Sequence, residues 1–336
     1  MPYIELLYKA SLDACPSTPA IHLAVWNAHP HPLLTQWCHI SKTYWLQQFF
    51  KPFTNLIHQQ GLNSSFHPPE KSNLSLLFPS KNKQQTLYQM AQAMYHLEEG
   101  GQLWMACANT HGAKSYQHAL EQLAGDANGR SKSKCRIFSA RKTSDWNANL
   151  ATAWKQAGEV QRLASHQLYT QAGLFSWDRA DIGSQLLLQH LPQLSGRGMD
   201  LCCGYGLLST HLWHHHAAIT HLHLVDAAYE AIVCAKQNTT QWQEQCHYHW
   251  LDAQNEPIPD QMDWIVCNPP FHTGQEKDLH LGQQIIAKAC QSLKHGGSLW
   301  MVANRKLPYE ATLQSHLKQH ETVVESHGFK IIHGVR

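Results

Sequence analysis

Apolar and polar positions along the second half of this chain alternate in runs that predict short strands separated by helices. Met199-Asp200-Leu201-Cys202 is a short apolar run, and Leu207, Leu208, His211 and Leu212 after it recur at helical spacing. Residues 221–226, 247–251 and 264–267 are further strand-like runs, and 329–335 reads as a last strand, expected antiparallel at the sheet edge. Helices are predicted over 178–191 and over 148–168. Strands alternating with helices from residue 198 onward predict an α/β fold, a mixed, mostly parallel sheet flanked by helices.

The first half carries a fainter copy of the same pattern. Gly100-Gly101-Gln102-Leu103-Trp104-Met105 returns as Gly296-Gly297-Ser298-Leu299-Trp300-Met301, and each copy soon reaches an asparagine, Asn109 and Asn304. An amphipathic helix pattern precedes each: Leu87, Met90, Met94 and Leu97 in one, Ile285, Ala289 and Leu293 in the other. Ahead of the first lies Leu74-Ser75-Leu76-Leu77-Phe78-Pro79-Ser80-Lys81, a strand with its exit loop. The pattern implies two tandem Rossmann-like folds, the N-terminal one degenerate. The expected division is 1–147, a connecting helix over 148–166, and 167–336.

The intact copy closes each strand on a polar residue. After the first strand, Gly204 and Gly206 form a tight turn that lets backbone approach a ligand at a strand end. Only two glycines fit, so the GxGxxG of a nicotinamide site is disfavoured. Asp226 ends the second strand, 26 residues after Asp200, where a carboxylate can accept from both ribose hydroxyls. Asp252-Ala253 ends the third, where an acid can accept from an adenine amine.

The fourth strand ends in Asn268-Pro269-Pro270-Phe271. An amine conjugated to a π system is a poor nucleophile, and a site can help by accepting hydrogen bonds from both of its N–H groups. The Asn268 side-chain oxygen and the Pro269 carbonyl can do so, and Pro269 and Pro270 hold the backbone with fixed φ. Phe271 can stack on a planar target, a contact worth about 1–3 kcal/mol. Glycine turn, strand-end acids and this tetrapeptide together imply transfer of a methyl group from S-adenosylmethionine (SAM) to a planar amine.

The segment Gly173-Leu174-Phe175-Ser176-Trp177-Asp178-Arg179-Ala180-Asp181-Ile182-Gly183-Ser184, with the glycine turn, Asp226, Asn268 to Phe271, Val302-Ala303-Asn304 and Lys330, resembles the ribosomal RNA small-subunit methyltransferase C family. The similarity is close over about the last 165 residues and fainter before them. It implies a class I methyltransferase fold with a degenerate N-terminal copy, and methylation of a guanine N2 in 16S rRNA. By the same resemblance the glycine turn (Cys202, Gly204, Gly206) with Asp200 and Asp226 holds SAM, and Asn268, Pro269, Pro270 and Phe271 receive the guanine amine; Phe175, Asp181, Asp252, Ala253 and Asn268 are the further expected SAM contacts. Tyr205 departs from the small residue usual there and bears on how the methionine tail sits. The large-subunit guanine-N2 enzyme is an alternative, as are adenine-N6 or protein glutamine methylation, whose sites show Tyr in place of Phe271. A non-catalytic RNA-binding protein is a third class.

Composition adds a partner. The chain is 43% apolar and 15% charged, enough for two domains with sizeable cores. Its net charge of +2 conceals an asymmetry: 15 Lys+Arg against 9 Asp+Glu in 1–166, and 11 against 15 in 167–336. Arg130, Lys132, Lys134, Arg136, Arg141 and Lys142 cluster about a strand-like run at 135–138 and are the expected RNA-phosphate contacts. Ten scattered cysteines without a CxxC pair predict reduced core thiols. The 26 histidines include His214-His215-His216, which cannot share one helix face, so no metal is expected. No signal peptide or membrane span is apparent in the pattern, and a cytoplasmic monomer acting on the small ribosomal subunit is expected.

Overall fold

The computed structural model describes residues 1–336 except 15–19, 69, 164–165 and 271–275, and excludes the side chains of 276–278. The chain divides into two units, Met1–Glu159 and Val160–Arg336.

The first unit runs α1 (Pro2–Asp13), β1 (His22–Trp26), α2 (Pro32–Ile40), β2 (Thr43–Leu46), α3 (Lys51–Gln59) and β3 (Ser72–Leu77). It continues through α4 (Lys83–His96), β4 (Leu97–Ala108), α5 (Ala113–Ala124), β5 (Asn128–Lys132), β6 (Cys135–Arg141) and α6 (Ala148–Gly158). Its sheet has the order β2-β1-β3-β4-β6-β5, parallel except for β6, which runs antiparallel to both of its neighbours.

The second unit opens with a small hairpin, β7 (Gln161–Arg162) and β8 (Tyr169–Thr170), then α7 (Ile182–His190), β9 (Gly196–Leu201) and α8 (Leu207–His215). There follow β10 (Ile219–Asp226), α9 (Tyr229–Asn238), β11 (Cys246–Trp250), β12 (Met262–Cys267) and α10 (Glu276–Ser292). The chain closes through β13 (Leu293–Asn304), α11 (Glu310–His316), β14 (Gln319–Ser326) and β15 (Phe329–Val335). The sheet order is β11-β10-β9-β12-β13-β15-β14, parallel except for β15, which runs antiparallel to both of its neighbours.

Removing β11 from the second order leaves the first, so the repeat seen in sequence is a repeat of topology. Register agrees: Leu77 pairs with Met105 as Cys267 pairs with Met301. Gly100 and Gly296 take φ of +81° and +80°, a left-handed position near the irregular start of β4 and of β13 that favours glycine. At the next position a Cβ on Gly101 would meet the Asn73 carbonyl at 3.0 Å, and on Gly297 the Met262 carbonyl at 2.8 Å. Both glycines allow the strand to close on its neighbour.

The first copy has filled the place where the second keeps its site. Register puts Phe78 where the second unit has Asn268, and Asn27, at φ +52°, where it has Cys202, at φ +64°. Phe78 is fully buried, with the rings of Tyr8 and His29 each 5.0 Å away. The Tyr8 hydroxyl donates to the His29 carbonyl at 2.9 Å, and Asn27 Nδ2 donates to the Phe78 carbonyl at 2.9 Å. An apolar ring and α1 thus occupy these strand ends, with burial pressing the His29 imidazole down to about 4.

Three expectations shift. The helix expected over 148–168 ends at Gly158, where a Cβ would lie 2.3 Å from that of Tyr88. With Ala151 wholly buried, α6 belongs to the first unit rather than connecting the two, and the boundary falls after Glu159. The helix expected over 178–191 is α7, which starts only at Ile182, because Asp181 caps it. β15 is not at the edge: β14 lies outside it. That strand was missed because most of its positions are solvent-facing, so its apolar signal is weak.

In the second unit the core lies on both faces of the sheet. Met199, Leu201, Ile265, Cys267 and Met301 pack against α10 and α11, while Leu222, Leu224, Trp264, Val266 and Val302 pack beneath α7, α8 and α9. Strand alternation decides which side each residue meets.

Candidate active site

The site is built at the strand ends of the second unit. Beyond Leu201, Cys202 adopts a left-handed φ of +64°, at a cost of about 1 kcal/mol for a non-glycine residue. The turn is held from both sides: Cys203 N donates to Val225 O at 3.0 Å and Gly206 N to Cys203 O at 2.9 Å. Gly204 (φ +54°) has no atom within 4 Å of where a Cβ would stand, so open space faces the turn there. Gly206 serves packing instead, since a Cβ would press on Ala235 at 3.3 Å.

Asp226 organises this turn. Its Oδ2 accepts from Gly204 N and its Oδ1 from Ala228 N, each at 2.8 Å. Burial raises its pKa, opposed by these backbone donors. Glu230, the second residue of α9, was not foreseen: burial pushes its carboxyl up to about 7, with the Asp226 charge adding to the shift. Two desolvated acids beside an open glycine turn suit a ligand that offers hydroxyls.

Asp200 is placed differently from expectation. It is fully buried beneath α8, where its Oδ2 accepts from Ser209 Oγ at 2.6 Å and Ser209 N at 3.1 Å. Burial pushes it up to about 7, and its Oδ1 has no partner among the described residues. Its contacts tie β9 to α8 and support the turn from behind. Asp252, 4% exposed, has both oxygens engaged within its own turn, accepting from Gln254 N at 3.1 Å and Asn255 Nδ2 at 2.7 Å. Ala253 is buried next to it. Phe175 lies in the turns ahead of α7 and is 61% exposed.

Tyr205 does not project over the turn. It is buried, stacked on His166 with ring centroids 5.7 Å apart, and its carbonyl accepts from Asn238 Nδ2 at 2.8 Å. Asn238 also bonds both backbone groups of Tyr169, so α9 fastens the glycine turn to the hairpin.

The fourth strand brings Asn268 to Asp181, 87 residues earlier. Asn268 Nδ2 donates to Asp181 Oδ2 at 3.1 Å and to Ser184 Oγ at 2.9 Å. The same Asp181 oxygen accepts from Ser184 N at 2.7 Å and caps α7. A carboxylate can only accept, so it dictates the amide's orientation: the NH₂ faces α7 and the Oδ1 faces away, left to accept. Ser184 was not foreseen, although the Asp181-x-x-Ser184 spacing is that of a cap and its third helical residue. Pro269 is buried and Pro270 exposed; Phe271 lies outside the described residues.

The basic cluster is only partly assembled. Arg130, Lys132 and Lys134 are exposed on the β5–β6 hairpin. Lys142 leaves the expected set: its Nζ donates to the Met94 and Leu97 carbonyls at 2.6 and 2.7 Å and closes the C-terminus of α4. Arg141 donates to the Gly100 carbonyl, and Arg136 to Gln117 and Ser131. Among the described residues no three His, Cys, Asp or Glu side chains are placed to hold a metal. No helix among them is long and apolar enough to cross a membrane.

Comparison with known proteins gives the arrangement a family. The Methyltransferase small domain matches residues 165–333, and the Methyltransferase small domain N-terminal matches 32–157. The ribosomal RNA small subunit methyltransferase C of Hahella chejuensis is 30% identical over 250 residues, spanning 74% of this chain and 72% of that protein. The chain belongs to the ribosomal RNA small subunit methyltransferase C family. Another member, from Erwinia tasmaniensis, is 30% identical over 257 residues, covering 76% of this chain and 73% of its own. The T. thermophilus 16S rRNA N2 methyltransferase, solved in complex with AdoMet and guanosine, superposes with a TM-score of 0.80. It covers 100% of this chain and 92% of that one at 18% identity, which shows a shared fold. The two-copy class I methyltransferase architecture read from the repeat is therefore that of this methyltransferase C family.

Proposed function

We propose that this chain is the SAM-dependent enzyme that methylates the exocyclic N2 amine of a guanine in 16S ribosomal RNA. The observation that carries the reading is the oriented amide of Asn268, locked by Asp181 and Ser184 with its oxygen left to accept.

The residues present fit the cofactor. Gly204 leaves room, Asp226 and Glu230 are desolvated acceptors for ribose hydroxyls, and Cys202 and Gly206 shape the turn beside them. When bound, SAM supplies an electrophilic methyl group. Asn268 Oδ1 and the Pro269 carbonyl accept the two N–H bonds of the guanine amine, which favours a pyramidal nitrogen with its lone pair exposed. Preset acceptors lower the barrier by orientation and by stabilising the charge that develops on the amine. Phe271 stacks on the guanine, and the fixed φ of Pro269 and Pro270 holds the strand exit in place. Asp200 acts from behind the turn, by anchoring β9 to α8, and Asp252 by shaping the loop that carries Ala253 toward the adenine end.

The first unit is read as a degenerate copy that stabilises the protein and meets RNA through Arg130, Lys132 and Lys134. A cytoplasmic monomer is the accompanying reading.

The test is methyl transfer from labelled SAM to separated small and large ribosomal subunits lacking this enzyme, followed by nucleoside mass spectrometry. N2-methylguanosine confined to small-subunit RNA supports the proposal. Label confined to the large subunit moves the assignment to the sister guanine-N2 activity.

A further inference from the structure

A cleft of about 410 Å³ opens in the second unit among the β7–β8 hairpin, α7, α8 and α9, apart from the glycine turn and Asn268. Its lining carries Arg162 and four imidazoles, His166, His211, His214 and His215, with side-chain amides and no carboxylate. That is unexpected in a half whose residues 167–336 hold 15 acids against 11 bases. Arg162 is preset: its Nε donates to Gln167 O at 2.7 Å and its guanidinium lies 5.8 Å from the Tyr169 ring centroid. A basic fork and imidazoles lining one cleft offer donors of the kind a phosphate accepts from.

The cleft shares its walls with the active site. Leu207, which begins α8 directly after the glycine turn, lines it, and His166 is the ring stacked on Tyr205. Along α7, Ser184 touches Asn268 and Leu188 lines the cleft, one helical turn or about 6 Å further on. Helix α7 and the glycine turn thus connect the cleft to the site where the guanine is read to sit.

We infer that this cleft is a second substrate subsite that grips a phosphodiester of the RNA flanking the target guanine through Arg162, His211 and His214. The inference rests on the functional reading above and adds a contact in the catalytic unit itself. The titratable and charged groups facing the cleft are Arg162, His166 and Tyr169 from the hairpin and His211, His214 and His215 from α8; α7 and α9 offer Leu188 and amides. Burial lowers the pKa of His211, helped by His215, His216 and His214, and burial alone lowers that of His166. An RNA phosphate supplies the missing counter-charge, so binding takes up protons and strengthens as pH falls through the imidazole range.

The experiment measures affinity for small ribosomal subunits lacking this methylation, for wild type and for Arg162→Gln/His211→Gln/His214→Gln, between about pH 6 and about pH 8 and across a salt series. The expected result is an affinity loss in the variant at both ends of the range, about tenfold near pH 6 and smaller near pH 8, where only the Arg162 contact is missing, with a salt slope lower by about one. SAM affinity by calorimetry reports whether the variant is folded. Should it not be, Arg162→Gln/His214→Gln, which alters only exposed side chains, replaces it. Unchanged affinity, pH response and slope overturn the cleft proposal alone, provided wild type forms N2-methylguanosine. A wild-type enzyme that forms none overturns the functional reading, and the subsite falls with it. If inorganic phosphate stabilises wild type but not the variant while subunit affinity stays equal, the cleft takes free phosphate and the RNA assignment is overturned.

Discussion

Asp181 and Asn268 meet through one carboxylate oxygen that also caps a helix: Oδ2 lies 3.1 Å from Asn268 Nδ2 and 2.7 Å from Ser184 N. The start of α7 and the amide of Asn268 are thus set by the same atom. Asp181→Ala is expected to lower kcat by about 10²-fold through misplacement of the amide. It should cost about 1 kcal/mol of stability from the lost cap. SAM affinity should change little. Steady-state kinetics with calorimetry checks this, and an unaltered kcat removes the positioning role.

Asn268→Ala takes away the acceptor itself. Turnover should fall by about 10³-fold while SAM affinity stays within a few fold. An equal loss of SAM binding, read by calorimetric titration, would show that Asn268 serves the cofactor rather than the amine.

Asp226 accepts from Gly204 in the glycine turn and from Ala228 ahead of α9, and on the proposed reading its removal acts on the cofactor side. Asp226→Ala should weaken SAM binding by about 1.5–3 kcal/mol. Equal affinity of variant and wild type would refute its assignment.

Asp200 makes stability depend on pH. Folding raises its pKa to about 7, chiefly through burial, from an unfolded value of about 4. Between those values the folded chain holds a proton that the unfolded chain has lost. Its contribution is therefore complete below about pH 4 and is lost as pH rises through about 7. Asp200→Asn cannot ionise, so wild type should lose stability relative to it across that window and run parallel above it. Urea melts of both proteins across the range test the sign; Glu230, raised similarly, is common to both and drops out of the difference.

Phe78 fills the strand ends of the first unit, so calorimetry should find one SAM per chain. Phe78→Ala should cost about 3–5 kcal/mol as a core cavity and leave that stoichiometry at one. Two SAM per chain would contradict the reading of the first unit as a degenerate copy.

Much of this was open to reading from the residues in order. Strand runs, the glycine turn and the Asn268 tetrapeptide are local signals, because alternation and turn chemistry act over a few residues. The repeat was legible because Gly100-Gly101 and Gly296-Gly297 each answer the same steric demand near the start of β4 and of β13. The hydrophobic pattern failed where it is weak, as in the solvent-facing β14, and it ran two helices together with the polar segments beside them. Lys142 looked like an RNA contact because its charge is visible in sequence and the carbonyls it closes are not.

The chain's order alone determined two α/β copies, one of them equipped at its strand ends for methyl transfer to a planar amine. Tertiary structure decided how each equipped residue is used. Asp200 turned beneath α8, Phe78 sealed the first copy, and Asp181 reached across 87 residues to orient Asn268. These choices depend on which side chains a packed sheet brings within 3 Å of one another, and hydrogen bonds of that reach leave no periodic trace along a sequence.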